Sequence, residues 1–244
     1  MAVRGGLIEG MMGKLMAILG FQKLLPAALI LSLVMPISAA AVMPEQLYGA
    51  SLTFDIYREA TEIGTHHVKF RRDGDEVVVE SQSKIAIKLL FLTAYSFDYA
   101  STARWRGDQL LQLKVRVDDN GAKLAFESMR DQTGVYRTML GGEETLTPAP
   151  LFPTNHWNKA ALGQARLLNT LTGGVDTVTI SSPKVEPIKT EKGIINANRY
   201  DLSGGVETTL WYDRDGRWVG MRFIGRDGTP VEYRCRQCQG RPPS

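Results

Sequence analysis

"LLQLKVRVD", Leu110–Asp118, alternates apolar and polar residues with a period of two. Leu111, Leu113, Val115 and Val117 share one face; Gln112, Lys114, Arg116 and Asp118 share the other. Successive side chains of a strand point to opposite faces, so this pattern predicts a strand with one face in a core and the other in water. The same alternation recurs on both sides. Leu124, Phe126 and Ser128 share a face, as do Val219, Met221 and Phe223, while Val231, Tyr233 and Cys235 lie opposite Glu232 and Arg234.

Between such runs stand turn pairs: Asp73-Gly74, Arg106-Gly107, Asn120-Gly121, Gly141-Gly142, Gly173-Gly174, Gly204-Gly205, Asp215-Gly216 and Asp227-Gly228. Gly and Asn tolerate positive φ, the conformation that tight hairpins require. The expected fold is therefore mainly β, a strongly curved antiparallel meander or half-open barrel of about eleven strands. Two segments break the pattern. In "IAIKLLFL", Ile85–Leu92, both faces are apolar except for Lys88, as in a strand that is covered on both sides or faces an apolar cavity. In "NKAALGQARLLNTLT", Asn158–Thr172, Ala161, Leu162, Ala165, Leu168 and either Leu167 or Leu171 recur at helical spacing before Gly173-Gly174. One α-helix covering a face of the sheet is expected there.

Residues 1–41 differ from the rest. Arg4, Lys14 and Lys23 precede the apolar run Leu24–Ile37, and "SAAA", Ser38–Ala41, follows it. A basic segment, an apolar stretch shorter than the roughly 20 residues of a spanning helix, and a small-residue ending fit a signal peptide cleaved after Ala40 or Ala41. A periplasmic or secreted location is expected, with no transmembrane segment after cleavage. The leader holds three of the 29 Lys+Arg and one of the 26 Asp+Glu, so its loss lowers the net charge from +3 to +1. A balanced surface exerts no long-range pull on phosphate backbones, and nucleic acid is not an expected partner. One β-rich domain is expected over 42–238, with 239–244 as a tail.

The candidate chemistry is sparse. In "GTHHVKF", His66 shares parity with Val68 and Phe70, and His67 with Lys69 and Arg71, so one ring points in and the other out. They cannot chelate one metal from a regular strand. In "LFPTNHWN", Leu151–Asn158, His156 and Trp157 precede the predicted helix; Thr154, Asn155 or Asn158 can cap it, and Trp157 can anchor the loop. A catalytic or ligand role for His156 is the alternative, although no Gly-x-Ser-x-Gly or His-Glu-x-x-His spacing occurs. No cofactor motif or metal-ligand spacing is present. Asp213, Asp215 and Asp227 sit in Asp-Gly turns, where their role is to shape the turn; calcium would need a loop spacing they lack. Cys235 and Cys238, the only cysteines, are expected to form a local disulfide in an oxidising compartment, with free thiols or half a metal site as the other readings.

The segments "IGTHHVKFRRDGDEVVVES" (Ile63–Ser81), "YSFDYASTARWRGDQLLQLKVRVDDNG" (Tyr95–Gly121), "PTNHWN" (Pro153–Asn158) and "WYDRDGRWVGMRFIGRDGTPVEYR" (Trp211–Arg234) occur in this order. In this the chain resembles a family of secreted bacterial proteins known only as a domain of unknown function. The architecture is also similar to that of periplasmic lipoprotein carriers, in which a curved sheet wraps an apolar cavity and a helix plugs it. That resemblance implies a non-enzymatic protein binding an apolar or lipid-like ligand. Ile85, Ile87, Leu89, Phe91, Tyr95, Phe97, His156 and Trp157 are the candidate lining. Two other readings stand beside it: an envelope assembly factor with a solid core that binds other envelope proteins, and a hydrolase using His156 or His66.

Overall fold

Alternating strands and hairpin turns account for nearly everything in the structure, a computed structural model that describes residues 43–89 and 92–240. The expected leader, 1–41, lies outside them. After a short helix, α1 (Pro44–Tyr48), come β1 (Ser51–Arg58), β2 (Thr61–Asp73), β3 (Glu76–Leu89), β4 (Leu92–Arg106), β5 (Gln109–Asp119), β6 (Ala122–Arg130), β7 (Val135–Leu140) and β8 (Glu143–Pro148). The second arm comprises β9 (Phe152–Pro153), β10 (Arg166–Leu168), β11 (Val175–Ile180), β12 (Lys184–Thr190), β13 (Gly193–Gly204), β14 (Thr208–Tyr212), β15 (Trp218–Ile224) and β16 (Pro230–Gln237). Asn120 and Gly121 both have positive φ, 54° and 94°, as the tight β5–β6 turn requires.

All sixteen strands form one sheet, ordered β8-β7-β6-β5-β4-β3-β2-β1-β16-β15-β14-β13-β11-β10-β9, with β12 paired to β13. The pairing is antiparallel except between β9 and β10. The first strand thus pairs with the last, and the two ends of the strand order, β8 and β9, are adjacent in sequence. Pro148 ends one edge and Phe152 begins the other, so these edges approach within roughly 14 Å even if the link is fully extended. The sheet curls almost into a barrel without closing.

On the opening stretch the expected alternation holds with one shift. Leu113, Val115 and Val117 are buried while Lys114 and Arg116 are exposed. At its start Arg104 pairs with Gln112 but Trp105 with Leu110, so a bulge turns Leu110 inward in place of Leu111. The sixteen strands exceed the expected eleven in part because β9 and β10 have only two and three residues, too few to show a period.

The predicted helix over Asn158–Thr172 does not form. Asn158 does cap a turn, accepting from the Ala160 N–H at 3.0 Å, but that turn is a 3-10 helix over Lys159–Gly163. Arg166–Leu168 then becomes β10, flanked by β9 and β11. Leu167 and Leu168 are both buried, as consecutive residues are in a strand covered on both faces. Gly163 weakens the helix locally, and pairing on both sides of β10 supplies the backbone partners a helix would have made internally. The α-helix among the described residues is α1 instead.

The concave face fills unevenly along its length. At one end Trp105 packs edge-on against Trp157 (ring centroids 5.6 Å), Trp157 against Phe70, and Phe70 stacks on Tyr48. Tyr48 fastens this end: its hydroxyl accepts from the Trp218 N–H and donates to the Trp157 carbonyl, both at 2.8 Å. Packing continues past Cys238, since Gln239 is buried and accepts a hydrogen bond from Thr190. The other end is open.

Candidate functional site

Along β3 and β4 the inward residues run in opposed pairs: Val77 with Trp105, Val79 with Ala103, Ser81 with Ser101, Ser83 with Tyr99, Ile85 with Phe97, Ile87 with Tyr95. The first pairs belong to the solid end. From Ser83 and Tyr99 onward the same rows line a cavity of about 700 Å³, within the size range of small-molecule sites. The opposite wall repeats the order on β15 and β16, where Met221 faces Tyr233 and Phe223 faces Val231. Period-two alternation therefore delivers every second side chain of four strands to one space.

The inner end is polar but uncharged. His66, 8% exposed, lies among Phe54, Trp218 and Tyr233, and its Nδ1 is 2.6 Å from Ser83 Oγ. Its Nε2 makes no hydrogen bond to the described residues. The His156 ring packs edge-on to Trp218 at 5.7 Å and likewise makes no hydrogen bond to them; its carbonyl accepts from the Tyr212 hydroxyl at 2.8 Å. Burial pushes the His66 imidazole down to about 3, with the neighbouring His156 and His67 adding to the effect, and burial alone pushes His156 down to about 4. Both rings are neutral near pH 7. Tyr99 donates to Asn155 at 2.8 Å, and Asn155 donates to Ser101.

Charges gather at the mouth. Arg226, on the β15–β16 hairpin, donates to Asp119 Oδ2 at 2.6 Å, and Tyr95 donates to Asp119 Oδ1 at 2.8 Å. Asp119 ends β5, so this contact joins strands that stand five places apart or more in the sheet order. Burial and then Asp119 push the Tyr95 phenol up to about 12. Arg58 is paired with Asp227 at 2.5 Å and donates to Thr229.

Of the candidate lining, Ile85, Ile87, Tyr95, Phe97 and His156 lie on the cavity wall. Trp157, one residue beyond His156, turns the other way into the solid end. Phe91 and the side chain of Leu89 lie outside the described residues. Ala86 and Lys88 are exposed, so β3 faces the cavity on one side and water on the other rather than being covered on both. The parity reading of His66 inward and His67 outward matches. Sequence reasoning missed Ser83, Tyr99 and Trp218 as lining; the cue for the first two was their parity with Ile85 and Phe97, whereas Trp218 is out of phase with Met221 and comes to the cavity beside a register shift between β14 and β15.

For a hydrolase, His66 and His156 do share one cavity and both approach Trp218. Among the described residues, however, no carboxylate hydrogen-bonds to either ring, and a histidine held neutral to about 3 is a weak base. Cys235 and Cys238 form the local disulfide, with Cα atoms 5.7 Å apart. Glu191 accepts from the N–H groups of Cys238 and Gln239 beside it. Among the described residues the one cluster of three metal-type donors is Glu191 with these cysteines, whose sulfurs are bonded to each other. Asp213 is buried and paired with Arg217 at 2.7 Å, accepting from the Asp215 and Arg217 amides, which is the turn-shaping role expected of it.

A single curved, mainly antiparallel sheet, not fully closed and wrapped round an apolar-walled cavity, defines a β-barrel-like protein. The chain belongs to the family described as Domain of unknown function (DUF6134), whose model matches residues 54–236. Its fold is similar to that in the crystal structure of a beta-barrel-like protein of domain of unknown function DUF1849 from Brucella abortus, with a TM-score of 0.52 and 12% identity. That likeness covers 78% of this chain and 97% of the other, and at this identity it concerns the fold alone. No curated protein matches the chain. Among the described residues, no helix is long and apolar enough to cross a membrane.

Proposed function

We propose that this is a non-enzymatic protein of the periplasm that holds an apolar or lipid-like ligand in the half-barrel cavity. One observation carries the reading: Ile85, Ile87, Phe97, Met221 and Phe223, from three strands of the sheet, leave about 700 Å³ between them unfilled. A protein whose only task was to present a rigid surface gains by filling such a space, since packing contributes stability and voids cost it. The basic, apolar and small-residue pattern of 1–41 supports export, and N-terminal sequencing of the protein from fractionated cells is expected to begin at Ala41 or Val42.

Native mass spectrometry tests the ligand. Protein purified from its own envelope in detergent-free buffer is expected to carry an additional mass that organic extraction removes. A clean apo mass from several gentle preparations would count against ligand carriage and favour an assembly role. The hydrolase reading keeps the Ser83–His66 contact in its support. Its test is hydrolysis of p-nitrophenyl butyrate, where any turnover that disappears in Ser83→Ala would revive it.

A further inference from the structure

An apolar cavity closed by an apolar floor would accept the tail of any lipid. This cavity has a different floor. His66 is more than nine-tenths buried, yet its Nε2 faces no hydrogen-bonding partner among the described residues, and the His156 ring beside it makes no hydrogen bond to them either. Ser83 retains hydrogen-bonding capacity beyond its contact with His66, and the Tyr233 hydroxyl approaches it. A hydrocarbon end driven onto these groups would displace any water that satisfies them and offer nothing in exchange.

The floor also lacks charge. Both imidazoles are neutral, and no lysine or arginine lines the inner end. The lining cations, Arg58 and Arg226, are at the mouth and already paired with Asp227 and Asp119. A carboxylate or phosphate at the floor would be an ion buried without a partner. Going outward from Ser83, the rows pass through Ile85 and Phe97 before reaching Ile87 and Tyr95, a span of roughly 13 Å at about 3.3 Å per residue. The sequence of chemistries is neutral polar, then apolar, then charged.

Resting on the proposed cavity function, we infer that the occupant is an amphiphile whose leading end is an uncharged hydrogen-bonding group, a hydroxyl or carbonyl, seated on His66 and Ser83 with its apolar body against Ile85 and Phe97. The cavity thus selects neutral-headed lipids over fatty carboxylates and plain hydrocarbons.

The test is displacement of the neutral fluorophore N-phenyl-1-naphthylamine from the full chain by 1-dodecanol, dodecanoate and dodecane at pH 7.5. Dodecanol is expected to displace it at concentrations at least tenfold lower than either of the others. Ser83→Ala and His66→Gln, each checked for a cooperative thermal transition, are expected to shrink the ratio of alcohol to alkane below threefold. Lys88→Ala, on the outer face of the same strand, is expected to leave it unchanged. Equal displacement by dodecanoate, equal displacement by dodecane, or a ratio that survives in both folded floor variants would each overturn the inference. Failure of the fluorophore and all three competitors to bind is a separate result and would overturn the cavity function itself.

Discussion

Gly64 lies opposite Ile85 where β2 crosses β3, and a Cβ built there would fall on the carbonyl oxygen of Lys84. The adjoining pair of β1 and β2 slips register between Ile56 and Tyr57, so the strands crowd together at this point beside the cavity. Gly64→Ala is therefore expected to lower stability by about 1–3 kcal/mol, the usual range for overpacking, as read from urea denaturation. His66 and His156 give the pH dependence. Each has a folded value, about 3 and about 4, below its ordinary 6.5, so the unfolded chain takes up protons first. Their contribution is complete above pH 6.5 and is lost as pH falls through the window down to the folded values. Between pH 6.5 and 5 the loss is about 2 kcal/mol per histidine. Urea midpoints at pH 7.5 and 5 should differ less in His66→Gln than in the parent. The lowered Asp131, Asp201 and Asp227 start from 3.8, below the pH 5 end of this comparison, and do not confuse it.

At the scale of elements, Leu151–Leu171 does the work once expected of a helix. Its β9 and β10 belong to the sheet, while the link between them sets Trp157 in the solid end and His156 on the cavity wall, and so marks the boundary between the two. Trp157→Ala is expected to cost about 3–5 kcal/mol, measurable as a lower midpoint of unfolding, because the indole contacts both Trp105 and Phe70. The difference between this segment and β5 shows what the sequence reveals and what it conceals. Lys114 and Arg116 face water and Val115 and Val117 face a core, so period two is written into the residues themselves. In Leu167-Leu168 both neighbours are buried, and nothing local distinguishes a strand between two partners from part of a helix. The bulge at Trp105 is equally silent, because it arises from pairing rather than composition. Cavity residues were legible where apolar runs were long, as at Ile85 and Ile87. Polar ones such as Ser83 become visible only once the register places them beside His66.

For the molecule as a whole, the contact between Arg226 and Asp119 ties the two arms across the mouth. Arg226 is 87% exposed, so the pair contributes only about 0–1 kcal/mol to stability. Its expected effect is on passage: Arg226→Ala should speed release of bound N-phenyl-1-naphthylamine in stopped-flow fluorescence while leaving the unfolding midpoint nearly unchanged. Added salt should speed release from the parent and have little effect on the variant. The pairing of β1 with β16 acts at the same scale but on assembly. Thr53 meets Gln237 and Arg58 meets Val231, so the middle of the sheet unites the two ends of the described chain. Loop-closure entropy must be met before these contacts give anything back, which makes such topologies slow to form. Until β16 arrives, β1 and β15 are bare edges of two separate half-sheets, each able to pair with a foreign strand. A chain truncated before Pro230 would remain in that condition, and a nascent one passes through it, so the stage most exposed to misassembly is the last to be completed.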